Sequence, residues 1–129
     1  MDHEPLLAEL RLLQDRVVGI TDVAVATADG LIIAADHDES IDRERLAAMA
    51  ATTLGLARGS GEALGRGVLQ QSVSRFSGGF VVVQPVGELA LLAVLGDPGL
   101  DVARLHLESQ VVADRINRLL TSPETAIAS

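Results

Sequence analysis

The chain has no cysteine, tryptophan, tyrosine or lysine, and only two phenylalanines among its 129 residues. Without cysteine there is no disulfide framework and no thiolate metal site, which fits a reducing, cytoplasmic setting. Without aromatics the core must be packed from Leu, Val, Ile and Ala, and the 48% hydrophobic content supplies them. Positive charge is scarce as well: 10 basic residues, all arginine and dispersed along the chain, face 18 acids for a net charge of −8. A phosphate backbone is bound by clustered positive charge, so nucleic acid is not an expected partner. The first residues carry Asp2 and Glu4 where a secretory leader would be basic. The longest apolar run, residues 89–95, is far short of the ~18 residues of a spanning helix. These absences describe a cytoplasmic domain outside the membrane, and the lack of lysine beside abundant alanine points to a high-GC bacterial source.

What is present centres on residues 19–36, GITDVAVATADGLIIAAD. Two apolar strands, 20–27 and 31–35, meet at Asp29-Gly30, a dipeptide suited to a type I′ hairpin turn. Val23, Val25 and Thr27 alternate with Ala24, Ala26 and Ala28, so neither face is polar and both expect a cover. The alanine face lets a helix approach closely. Leu6, Leu10, Leu13 and Val17 recur at helical spacing between Pro5 and Gly19, which predicts a first helix over about 4–18.

After a polar connection, Asp42 is placed to cap a second helix reaching about Gly65. Its apolar stripe, Leu46, Met49, Thr53, Leu54, Ala57 and Leu64, suits a sheet. A second strip, Ala47, Ala51, Gly55, Gly59 and Ala63, recurs every four residues and reads as close approach of another backbone, since interior glycine costs a helix ~1 kcal/mol. Gly59-Ser60-Gly61 equally suits a broken helix end. Three strands follow: residues 68–76, polar enough for an edge or an interface, then 80–86 and 89–95, apolar and inner. Gly87-Glu88 fits a two-residue turn, and Pro85 belongs at a strand end or bulge. A last helix spans about 101–120. The order is α-β-β-α-β-β-β-α, an α+β fold in one domain over residues 1–120, with a flexible tail at 121–129.

No catalytic constellation emerges. Gly59-Ser-Gly61-Glu-Ala-Leu-Gly65 misses the dinucleotide fingerprint by one residue and follows a helix where a strand is required. The acids Asp36, Asp38, Glu39, Asp42 and Glu44 fail the calcium-loop pattern, which wants Gly at 41 and Glu at 47 where Ile and Ala stand. His3, His37 and His106 lack metal-ligand spacing. Neither a phosphate-binding P-loop nor a nucleophile elbow occurs. Arg43, Arg58, Arg66 and Arg75 flank the second helix and the polar strand; solvated charge is the ordinary reading of each, reach into a partner the alternative. The chain reads as a non-enzyme with no cofactor and no metal.

Two segments carry a family resemblance. Val17-Val-Gly-Ile followed by Val-Ala-Thr-Ala-Asp-Gly-Leu-Ile-Ile-Ala34, and later Gly79-Phe-Val-Val-Val-Gln-Pro-Val-Gly-Glu-Leu-Ala-Leu-Leu-Ala-Val94, resemble the two hairpins of the roadblock (dynein light-chain roadblock) family. The likeness covers about residues 4–120; the glycine-rich end of the second helix and the Pro-Gly before the last depart from it. The resemblance implies a five-stranded antiparallel sheet, the second helix on one face and the terminal helices on the other. It also implies a homodimer made by pairing third strands and packing second helices. Such proteins scaffold or regulate, and bacterial members of the MglB type act on a Ras-like GTPase, some without an arginine finger and some beside a sensor kinase. On this basis the contact surface is expected at Arg43, Ala47, Ala51, Gly55, Arg58, Gly59, Gln71 and Val73, shared between dimer and GTPase. A scaffold that leaves GTP turnover unchanged, or a small-molecule sensor, stays open as an alternative.

Overall fold

The computed structural model describes residues 3–36 and 40–122, so the acids and histidine at 37–39 and most of the expected tail, 123–129, lie outside the described residues. The elements run α1 (Glu4–Arg16), β1 (Ile20–Thr27), β2 (Ile32–Asp36), α2 (Arg43–Ala63), β3 (Ser72–Phe76), β4 (Gly79–Val86), β5 (Ala90–Gly96) and α3 (Val102–Thr121). The strands form one five-stranded sheet in the order β2-β1-β5-β4-β3, and every pairing is antiparallel. This is the expected α+β architecture.

The hydrophobic alternation sorts the side chains into two layers. Val23 and Val25 of β1 join Val82, Leu92 and Val94 beneath α1 and α3, against Leu6, Leu10, Leu13, Leu105, Val112 and Ile116. On the other face Ala26, Val83, Leu91 and Ala93 pack under Ala47, Ala50 and Leu54 of α2. The first layer is built of leucines and valines, each worth ~1.5–3 kcal/mol when fully buried. The second is built largely of alanines, which brings α2 close to the sheet.

Local chemistry modifies several expectations. Among the described residues none other than glycine has positive φ, so Asp29-Gly30 is not a type I′ turn. Residues 28–30 instead form a three-residue loop: the Gly30 N–H donates to the Thr27 carbonyl (3.0 Å), the Thr27 N–H to the Leu31 carbonyl (2.8 Å), and Gly30 alone is left-handed at φ 98°. Asp29 accepts from the Thr27 hydroxyl, which in turn accepts from the Leu31 N–H. The second expected tight turn is also longer, because Val86 pairs with Ala90 and leaves three residues between. The polar strand shrinks from the start. β3 pairs with β4 only as far as Ser72 opposite Val83. Pro85, with no N–H to offer, stands two positions beyond the last β3–β4 pair, near the end of β4. α2 runs unbroken through Gly59-Ser60-Gly61, and the Asp42 carboxylate caps it by accepting from the Glu44 and Arg45 N–H groups, both at 3.1 Å.

Candidate partner interface

β3 is an edge strand, with β4 on one side and no strand on the other among the described residues. Its register puts Ser72, Ser74 and Phe76 on the α2 face and Val73 and Arg75 on the α1/α3 face. Phe76 is 59% exposed and Val73 44%. Arg75 stacks over the opposite Phe80 ring, 6.0 Å from its centroid, which leaves the phenylalanine beside it as the unclaimed aromatic.

Above this edge lies α2. A helix turns about 100° per residue, so Ala47, Ala50 and Leu54, its buried residues, fix the side that faces the sheet. Leu46, Met49, Ala50 and Thr53 then line a groove of about 440 Å³ whose far wall includes Ser74 and Phe76 of β3. Leu56 and Ser60 continue the same line up the helix. The intervals 46, 49, 53, 56, 60 alternate three and four, as on a helix that packs along a partner. Met49 is 63% exposed and Leu56 70%. From Leu46 to Ala57 the helix carries no charged residue at all. A solvent-facing helix normally has a charged outer side. This one presents an apolar ridge beside an open strand.

The stripe expected to cover the sheet therefore divides. Leu54 is buried against the sheet, while Met49 and Leu64 are exposed. The small-residue strip divides too, because a four-residue repeat drifts about 40° per step around a helix of 3.6 residues per turn. Ala47 is 1% exposed and faces the sheet, so it is corrected from a contact residue to a core residue. Ala51 is half-buried and meets Gly30 of the β1–β2 loop. Gly55 and Gly59 are exposed, with open space around the position of a Cβ, and their helical angles set them on the hairpin side, away from β3. Arg43 is exposed in the first turn of α2. Arg58 is half-buried and donates to the Gly87 carbonyl at 3.4 Å. Gln71 precedes β3 and donates to Gln84 at 3.2 Å. Val73 lies on the edge itself.

Thus α2 and β3 do face each other across the groove, but through Leu46, Met49, Thr53 and Phe76, with Leu56 exposed farther along the same line, none of them chosen as contact residues from the sequence. The three-four spacing and the uncharged run were the signals that mark them. Among the described residues no group of three His, Asp or Glu is placed to hold a metal, and no helix is long and apolar enough to cross a membrane.

Comparison with known proteins agrees with this fold. The profile of the Roadblock/LC7 domain matches residues 6–96. An uncharacterized protein of Methanocaldococcus jannaschii is 29% identical over 105 residues, 81% of this chain and 91% of its own. The crystal structure of a Roadblock/LC7 domain from Streptomyces avermitilis superposes with a TM-score of 0.81 at 25% identity, over 87% of this chain and 94% of that one. Myxococcus xanthus MglB shares the fold with a TM-score of 0.85 at 16% identity, over 95% and 99% of the two chains. Relatives thus come from an archaeon as well as from bacteria, and the composition does not by itself assign a bacterial source. The chain belongs to the Roadblock/LC7 family.

Proposed function

We propose that this protein is a homodimeric regulator or adaptor of a small Ras-like GTPase, working in the cytoplasm. The observation that carries the reading is the uncharged, apolar flank of α2 running beside the open edge of β3. An exposed ridge and an unpaired strand on one side of the molecule call for a second copy, since a two-fold axis can pair the strands and face the ridges at once. The hairpin side of α2, around Gly55 and Gly59, is then left accessible for the GTPase.

Support for a GTPase comes from the likeness to MglB and the role that resemblance implies. The side chains around the middle of α2 fit a regulator that adds no arginine to the GTPase site: Arg58 is held against the Gly87 carbonyl, and residues 46–57 carry no charge. Any change in hydrolysis would come from reorganising the GTPase's own switch segments. Association of this pair with a sensor kinase is a further expectation of the same resemblance.

The test is phosphate release by a purified Ras-like GTPase, followed with and without the wild-type protein, alongside a binding measurement. Complex formation with an altered rate supports regulation. Complex formation at an unchanged rate assigns a scaffold, and no complex with no rate change sinks the reading.

A further inference from the structure

One polar thread crosses the leucine–valine layer beneath α1 and α3. Gln84 shares a face of β4 with Val82 and Val86, both buried under α1 and α3, and is itself 2% exposed. An amide there gives up its water, and a buried amide is tolerated only when its groups are paired. Its oxygen accepts from Gln71 Nε2 at 3.2 Å, and its nitrogen donates to the Ser109 carbonyl of α3 at 3.4 Å. The position of the first bond is informative. Backbone pairing of β3 with β4 ends at Ser72 opposite Val83. The next residues in register are Gln71 and Gln84, and the position after those on β4 is Pro85, which cannot donate. Side-chain amides therefore take over where the ladder stops.

We infer that Gln84 is a positioning residue for the open edge: it fixes the entry of β3 through Gln71 and anchors that entry to α3 through the Ser109 carbonyl. β3 has few other restraints. It is five residues long, has one strand neighbour, and lies beside α2 across an open groove. An apolar side chain of equal length at position 84 would fill the same space and lose only the thread. Gln84 thus acts on where and how firmly the edge is presented, and less on whether the domain folds. That the edge serves dimerisation rests on the function proposed above; that Gln84 holds the edge does not.

The experiment is amide hydrogen exchange on the full chain, wild type against Gln84→Met and Gln71→Ala, with the dimer dissociation constant measured on the same samples. In both variants exchange over Val73–Phe76 should quicken about tenfold, the scale of one lost hydrogen bond, while exchange in β1 and β5 stays at the wild-type rate. The dissociation constant should rise by a similar factor. Should Gln84→Met fail to fold, Gln71→Ala, which leaves the core volume intact, decides the matter. Edge exchange within twofold of wild type in both variants, or a uniform rise across the sheet, overturns the inference. A monomeric wild type would refute the dimer while leaving the exchange comparison to judge the thread.

Discussion

Gly30 and Ala48 meet almost backbone to backbone: a Cβ built on Gly30 would stand 3.3 Å from the Ala48 Cα. The loop of the first hairpin is tucked against α2, and Gly30 also needs its φ of 98°. Gly30→Val should therefore destabilise the fold by about 2–4 kcal/mol, combining left-handed strain with the clash against the helix. A chemical-denaturation curve checks this; a midpoint equal to wild type would contradict the close approach.

Gly19 and Gly55 make an opposed pair. A Cβ on Gly19 would lie 2.5 Å from the Leu100 Cα at a φ of 97°, whereas one on Gly55 meets nothing within 4 Å. Gly19→Ala is expected to cost more than about 2 kcal/mol, and Gly55→Ala to add about 0.5–1 kcal/mol through helix propensity. Thermal melts of the two variants should move in opposite directions. Equal shifts would count against the packing described at Leu100.

Much of this arrangement was legible in the sequence, and the failures have physical causes. The alanine alternation of β1 foretold a close helix, and the periodicity of α1 gave its buried leucines. Asp42 announced its cap. The turn at Asp29-Gly30 was located but mistyped, because Asp-Gly also suits a three-residue loop in which only the glycine is left-handed and the Thr27 hydroxyl engages Asp29. The sequence overextends β3 because its polar run continues back to residue 68 while pairing with β4 stops at Ser72 opposite Val83, a limit that strand composition does not reveal. The faces of α2 were misassigned for a different reason. Residues 46–57 are uncharged all round, so the polar side that normally orients a helix was missing.

The cap offers a quantitative check on α2. Asp42 accepts two backbone N–H groups at the helix start. Asp42→Ala should cost about 1 kcal/mol, and Asp42→Ser should recover most of it. A loss confined to Asp42→Ala, read from urea midpoints, would confirm capping; equal losses in both would point elsewhere.

The apolar ridge predicts a separation of stability from association. Leu56 is exposed in the single chain, so Leu56→Arg should leave the chain's own stability within about 0.5 kcal/mol. Placed on a ridge that faces a second copy, the new charge should weaken the dimer by about tenfold or more. Sedimentation across a concentration series reports both states. A variant that associates as tightly as wild type would remove α2 from the interface.

The most direct test of the central claim is GTP hydrolysis by a Ras-like GTPase with the wild-type protein and with Gly59→Trp. The substitution sits on the outer side of α2 in open space, so the fold and the β3 edge should survive it. Wild type should bind the GTPase and change its rate of phosphate release, and Gly59→Trp, still dimeric, should do neither. An unchanged rate and no complex with wild type, or an equal effect from the variant, would contradict that claim.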